Sequence, residues 1–106
     1  MSEADSLITL HEILEKDAAS APVERGFSVF VFGSFAAGSL GRDIDLLITY
    51  GETVDAAKAR RLREWLAAVV TAAFQRPADI CLLSNAEEVE IDFAKHESAH
   101  KVLERQ

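Results

Sequence analysis

The alternation of apolar and polar residues predicts three β-strands in the first five-sixths of the chain. Residues 27–32 (F-S-V-F-V-F) are aromatic and β-branched, which is typical of a buried strand. Residues 43–50 form a second apolar run that Gly51 closes, and residues 78–83 (A-D-I-C-L-L) form a third, shorter run. Three such runs separated by helical or turn-rich segments predict a sheet with helices packed on it.

Helical periodicity fills the segments between these strands. Leu7, Leu10 and Leu14 predict a first helix that ends near Ala21-Pro22, because proline disfavours helix at the residue before it. A long helix is predicted from a Thr53 cap to Arg76-Pro77. Its apolar positions alternate by three and four, and they are Leu62, Trp65, Leu66, Val69, Val70, Ala73 and Phe74. Trp65 and Phe74 are therefore expected in the core rather than at an interface.

The C-terminal region is predicted to be helical, because Ser84 and Glu87 have the spacing of a capping box. A short helical turn is expected in the glycine-punctuated stretch after the first strand. The element order α-β-turn-β-α-β-α predicts an α/β (α+β) fold, with a small mixed sheet of three or more strands. Residues 1–106 are expected to form a single domain, since a chain of this length suits one modest core.

Composition and charge restrict the classes of partner. The chain has 18 acidic and 11 basic residues and a net charge of −7, so a long nucleic acid, which is bound largely through Lys and Arg, is not expected. No apolar run approaches the roughly 18–20 residues that span a bilayer. The acidic start and the single cysteine, Cys81, predict a soluble protein of the reducing cytoplasm with no membrane partner.

Two carboxylates interrupt the second strand. Asp43 and Asp45 lie two residues apart, so a strand turns both side chains to the same face. The pair is either a solvated strand face or a site for a hard cation such as Mg²⁺, which proteins hold with a few carboxylates. If the third strand neighbours the second, Asp79 adds a third carboxylate to this cluster.

A glycine-rich turn lies shortly before these carboxylates. Residues 33–38 read G-S-F-A-A-G and follow the first strand directly. A strand that leads into Gly-Ser and a helical turn presents backbone N–H groups that suit a phosphate. By itself the stretch favours a tight turn that ends the strand, but a phosphate-binding turn close to a carboxylate pair suits nucleotide chemistry.

The stretch G-S-F-A-A-G-S-L-G-R-D-I-D-L-L-I-T, with the later Asp79, resembles the nucleotidyltransferase superfamily that includes DNA polymerase β. The chain length and charge resemble the minimal nucleotidyltransferases, which are often encoded beside a HEPN-domain partner. The resemblance implies a palm-like fold in which Asp43 and Asp45 bind Mg²⁺ or Mn²⁺. Asp79 would complete the metal site or take the proton from the acceptor.

The same resemblance implies transfer of an NMP, with AMP from ATP expected first, to an acceptor hydroxyl that a HEPN-type partner protein could provide. Gly33, Ser34 and Gly38 would form the nucleotide-binding turn. Family members often carry a basic residue within this turn, where this chain has Ala36 and Ala37. Either Arg42, which is near in sequence, or a partner protein would supply the missing positive charge. The alternative is a catalytically weak, antitoxin-like binding module of the same fold. Either function is compatible with a homo-oligomer.

A third hypothesis rests on residues 96–100, His-Glu-Ser-Ala-His, which match the H-E-x-x-H pattern of zinc proteases. On a helix, His96 and His100 would share a face with Glu97 beside them. A third protein ligand is normally needed downstream, and six residues follow. A chance match on a solvated C-terminal helix is the simpler interpretation.

Overall fold

Four strands and five α-helices make up the described part of the chain, which is residues 3–36 and 42–105 of the computed structural model. The strands are β1 (Phe27–Phe32), β2 (Ile44–Tyr50), β3 (Ala78–Ser84) and β4 (His100–Arg105). The helices are α1 (Glu3–Asp17), α2 (Gly33–Ala36), α3 (Ala56–Phe74), α4 (Asn85–Ile91) and α5 (Phe93–His96), and a 3₁₀ turn (Ala18–Ser20) follows α1.

The strands form one mixed sheet in the order β3-β2-β1-β4. β1 runs antiparallel to both β2 and β4, whereas β2 and β3 are parallel and joined by the crossover helix α3. The predicted α+β class and mixed sheet are therefore confirmed, and the three strands predicted from the sequence are all present. The fourth strand, β4, was not predicted.

One face of the sheet carries the core. Alternate residues of β1 and β2, such as Val29, Val31, Leu46 and Ile48, are fully buried on this face. Helices α1 and α3 cover it with the buried side chains Leu10, Leu14, Leu62, Leu66 and Val70. None of the helices in residues 3–36 and 42–105 is long and apolar enough to cross a bilayer.

The opposite face, here called the second face, carries the intervening side chains of the strands. These include Phe32 of β1, Asp45 of β2 and Asp79 of β3, because directly paired residues of neighbouring strands point to the same side. The second face therefore holds the carboxylates that the sequence singled out.

The long helix has the predicted core residues but a different N-cap. Trp65 packs edge-on against Phe27 with the ring centroids 6.5 Å apart, and Phe74 packs in the same way against Phe35 at 5.1 Å. The predicted Thr53 cap is wrong, because Asp55 occupies that position.

The Asp55 carboxylate accepts a hydrogen bond of 2.8 Å from the backbone N–H of Lys58, and this bond satisfies one of the free donors of the first turn. At the other end α3 stops at Phe74. Gln75 then adopts a left-handed conformation with φ of 57°, just before Arg76-Pro77.

The C-terminal region begins as predicted and then departs from the prediction. Ser84 and Glu87 form the expected capping box at the start of α4. A continuous helix does not follow, because Asp92 adopts a left-handed conformation with φ of 54° and ends α4. After the single turn of α5, Ser98 also has a positive φ of 52°, and the chain enters β4.

Candidate active site

The parallel pairing of β2 with β3 brings two of the predicted carboxylates side by side. Asp45 and Asp79 are direct register partners in this pair. The backbone N–H of Ile44 donates a hydrogen bond of 2.9 Å to the carbonyl of Pro77, so the two strands begin at the same end of the sheet. Asp45 is half-buried, whereas Asp79 is exposed. The condition set from the sequence, that the third strand neighbours the second, is met.

Asp43 and Arg42 lie just before β2 and are both exposed. Asp43 is thus not part of the strand, although it precedes Asp45 by two residues. Gly38 and Ala37 lie outside the described residues, as do the side chains of Ser34 and Ala36. Of the predicted nucleotide-binding residues, the structure therefore describes Gly33, the backbone of α2 and Arg42.

Gly33 closes the site from the side of β1. It follows Phe32, the antiparallel partner of Asp45, and has a φ of +70°, which side chains other than glycine rarely adopt. A Cβ atom at this position would overlap the Oδ2 atom of Asp45 and would lie 3.1 Å from its Cγ atom. The absence of a side chain at Gly33 therefore leaves the space that the Asp45 carboxylate occupies.

The carboxylates interact electrostatically. Burial, followed by the negative charges of Asp79, Asp43 and Glu97, raises the pKa of Asp45 above its ordinary value. The thiol of Cys81 lies two residues beyond Asp79 on the same face. Its pKa is also raised, by burial and then by Asp79, Asp45 and Glu97. The end of the second face is thus a region of negative potential that favours a cation.

Glu97 was assigned from the sequence to a zinc-binding pattern, and the structure separates it from that role. His96 is the last residue of α5 and His100 is the first residue of β4, with the left-handed Ser98 between them. The two histidines therefore lie on different elements, and the i, i+4 helical geometry that the pattern requires is not formed. The zinc-protease hypothesis is wrong for this reason.

The carboxylates are chemically suited to a divalent cation. Within residues 3–36 and 42–105, no group of three or more His, Cys, Asp or Glu side chains is close enough to hold a metal ion by itself. Mg²⁺ is usually bound by one or two carboxylates together with waters and substrate phosphates. The paired Asp45 and Asp79, whose mutual repulsion a cation would relieve, fit that mode of binding.

The chain is similar to a known family of proteins. A family model described as a nucleotidyltransferase domain matches residues 10–105. No curated protein sequence matches the chain significantly. The family match covers every described residue of the candidate site.

Solved structures share the fold at low sequence identity. A toxin–antitoxin complex with AMP-PNP is 19% identical with a TM-score of 0.56, covering 91% of this chain and 74% of that chain. An Asp-to-Glu double variant of the toxin–antitoxin pair MntA–HpeT is 15% identical with a TM-score of 0.54, covering 94% and 74%.

A third similar structure contains a tri-AMPylated HEPN toxin of Shewanella oneidensis in complex with an MNT antitoxin. It is 15% identical with a TM-score of 0.53, and the match covers 98% of this chain and 74% of that chain. At these identities the likeness establishes the fold.

Proposed function

The chain belongs to the nucleotidyltransferase domain family, and from this premise we propose that it transfers AMP from ATP to a hydroxyl group of a HEPN-type partner protein. The observation that carries the proposal is the pairing of Asp45 with Asp79 directly beside Gly33. Two further findings support it. One similarly folded structure is a toxin–antitoxin complex with AMP-PNP. Another is a complex of an MNT antitoxin with a tri-AMPylated HEPN toxin.

The reaction that this site supports is an in-line displacement at phosphorus. The oxygen of the acceptor hydroxyl bonds to the α-phosphorus of the nucleotide, the bond from that phosphorus to the bridging oxygen breaks, and pyrophosphate leaves. Little covalent chemistry is required of the protein, so its contribution is to position the reactants and stabilise charge.

Each residue of the site has a proposed role in that reaction. Asp45 and Asp79, with Asp43 just before β2, would hold Mg²⁺ or Mn²⁺ together with waters and substrate phosphates, and the bound cation would neutralise charge on those phosphates. Gly33 lets the backbone of the turn approach the triphosphate, with Ser34 and Gly38 continuing the turn. Arg42 provides a positive charge next to Asp43 in the sequence.

A second candidate function is an antitoxin-like binding module with weak transfer activity. The observation that favours it is the pair Ala36-Ala37, where related turns often carry a basic residue. Both functions predict ATP binding and a protein partner, and they differ in whether AMP is transferred. We place both in the cytoplasm, consistent with the free thiol of Cys81.

The proposed function is tested by calorimetric titration with ATP in millimolar Mg²⁺ and again in EDTA. Wild-type protein should bind ATP in Mg²⁺ and lose most of that affinity in EDTA, because the acidic site repels a triphosphate that has no cation. Asp45→Asn should bind weakly in both buffers, whereas the control Glu90→Gln on α4 should behave as wild type.

Equal affinity for ATP in Mg²⁺ and in EDTA would contradict a cation-dependent site. Transfer itself is measured with ATP labelled at the α-phosphate and a HEPN-type protein as acceptor. The transferase is supported if wild-type protein transfers the label to the acceptor and Asp45→Asn does not. Tight binding of ATP and partner without transfer supports the binding module instead.

A further inference from the structure

Helix α5 lies against the second face beside the candidate active site. The ring of Phe93, its first residue, packs edge-on against the ring of Phe32 with the centroids 5.1 Å apart and the planes at 82°. Phe32 is the direct strand partner of Asp45, and their side chains therefore project from the same face of the sheet. Phe93 thus fixes α5 on the second face at Phe32, the strand partner of Asp45.

Glu97 is held in register with Phe93. Its backbone N–H donates a hydrogen bond of 2.9 Å to the carbonyl of Phe93, so Glu97 follows Phe93 by one helical turn. Residues four apart on a helix share a face, and the Phe93 side faces the sheet. The left-handed Ser98 then turns the chain, and the N–H of Ala99 donates a bond of 2.8 Å to the carbonyl of Ala94. Glu97 therefore has a defined backbone position rather than lying in a free loop.

The electrostatic contacts agree with this placement. Burial and then the other carboxylates raise the pKa values of Asp45 and Cys81, and the negative charge of Glu97 adds to both shifts. Its side chain is exposed, and within residues 3–36 and 42–105 its carboxylate has no hydrogen bond or salt bridge. A carboxylate that is near the site and has no structural partner can receive a substrate group.

On the basis of the proposed function, we propose that Glu97 is the acceptor-side catalytic carboxylate of this site. Asp79 is the register partner of Asp45 on β3, so it belongs to the cation-binding set. Glu97 belongs to the segment that Phe93 anchors on Phe32 of β1, the other strand neighbour of β2.

In this role Glu97 accepts the hydrogen bond of the acceptor hydroxyl. As the oxygen of that hydroxyl bonds to the α-phosphorus and pyrophosphate leaves, the hydroxyl proton passes to the Glu97 carboxylate. The proposal assigns a function to the glutamate that the H-E-x-x-H pattern had attributed to zinc chemistry.

The test compares Glu97→Gln with the control Glu90→Gln, in which another exposed glutamate of the same region loses its charge. The probes are ATP with Mg²⁺ and the HEPN-type acceptor protein, and the measurements are the rate of AMP transfer to that protein and the Kd of ATP. Glu97→Gln should slow transfer about 100-fold or more, the usual contribution of a general base. Its Kd for ATP should stay within about twofold of the control, because the cation-binding carboxylates are intact.

Glu97→Asp keeps a carboxylate and should recover part of the lost rate. Transfer by Glu97→Gln at the rate of Glu90→Gln would overturn the proposal. Loss of ATP affinity in Glu97→Gln, as in Asp45→Asn, would also overturn it, since Glu97 would then belong with the cation ligands. Failure of the proposed function is seen separately, because wild-type protein would then transfer no AMP and the proposal for Glu97 would fall with it.

Discussion

Asp45→Asn should make the protein more stable in the absence of metal. Neighbouring strands are about 4.8 Å apart, so a separation of about 5 Å is expected for the carboxylates of the register partners Asp45 and Asp79. Two unit charges at about 5 Å repel by roughly 0.8 kcal/mol in a dielectric of about 80, and by roughly 1.7 kcal/mol in one of about 40. Because Asp45 is half-buried and Asp79 is exposed, solvent screens the pair and a value near 1 kcal/mol is expected.

Thermal melting in EDTA measures this difference. For a domain of this size, about 1 kcal/mol corresponds to a rise in Tm of roughly 4–8 °C. The control Glu90→Gln changes the net charge by the same amount on α4, so it reports the general effect of removing one negative charge from an acidic protein. The Tm of Asp45→Asn should exceed that of Glu90→Gln.

Millimolar Mg²⁺ provides the second half of the test. A ligand that binds the folded state alone stabilises it by RT ln(1 + [L]/Kd), so Mg²⁺ should raise the Tm of the wild type. It should raise the Tm of Asp45→Asn much less. If Asp45→Asn melts at or below Glu90→Gln in EDTA, and the wild type does not respond to Mg²⁺, the repulsion and the cation site are both refuted.

Three further predictions concern single features of the fold. Gly33→Ala should destabilise the protein by about 2 kcal/mol in urea melts, because the positive φ is strained for alanine and its Cβ overlaps the Asp45 carboxylate; an unchanged midpoint would contradict this geometry. Asp55→Ala should lower the Tm, whereas Asp55→Asn should keep it, since asparagine also accepts the hydrogen bond from the N–H of Lys58. The stability gain of Asp45→Asn should shrink as the pH falls from about 7 to about 4, and urea melts across this range check it. Burial and then Asp79 raise the pKa of Asp45 above its ordinary value in the folded state, so protonation of Asp45 removes the repulsion at low pH. A stability gain that stays constant over this pH range would argue against the raised pKa.

Much of the fold could be predicted because local sequence determines it. The apolar run 27–32, the periodic residues of α3 and the Ser84–Glu87 capping box each identify one element without reference to the rest of the chain. Strand β4 could not be predicted in this way. Its sequence, H-K-V-L-E-R, has two apolar residues, Val102 and Leu103, and its strand conformation depends on pairing with β1, about 70 residues earlier.

The candidate site, too, could be predicted only in part from the sequence. The spacing of Asp43 and Asp45 is visible in the sequence, and Asp79 was added on the condition that the third strand neighbours the second. The H-E-x-x-H match around Glu97 and its simpler interpretation, a solvated C-terminal helix, both presuppose one continuous helix. Two left-handed residues, Asp92 and Ser98, instead split this region into α4, α5 and β4. Backbone conformation of that kind depends on tertiary packing, which short sequence windows do not report.

The late position of β4 in the chain affects how the protein folds during synthesis. β1 is complete once residue 32 has been synthesised, but its second hydrogen-bonding edge has no partner until residues 100–105 have also been synthesised. At about 5–20 residues per second, β1 waits roughly 4–14 s with an open edge composed of Phe, Val and Ser. Such an edge is a site for pairing with other chains. Early dissociation of the nascent chain should therefore yield aggregates, because the edge of β1 is protected only when β4 pairs with it.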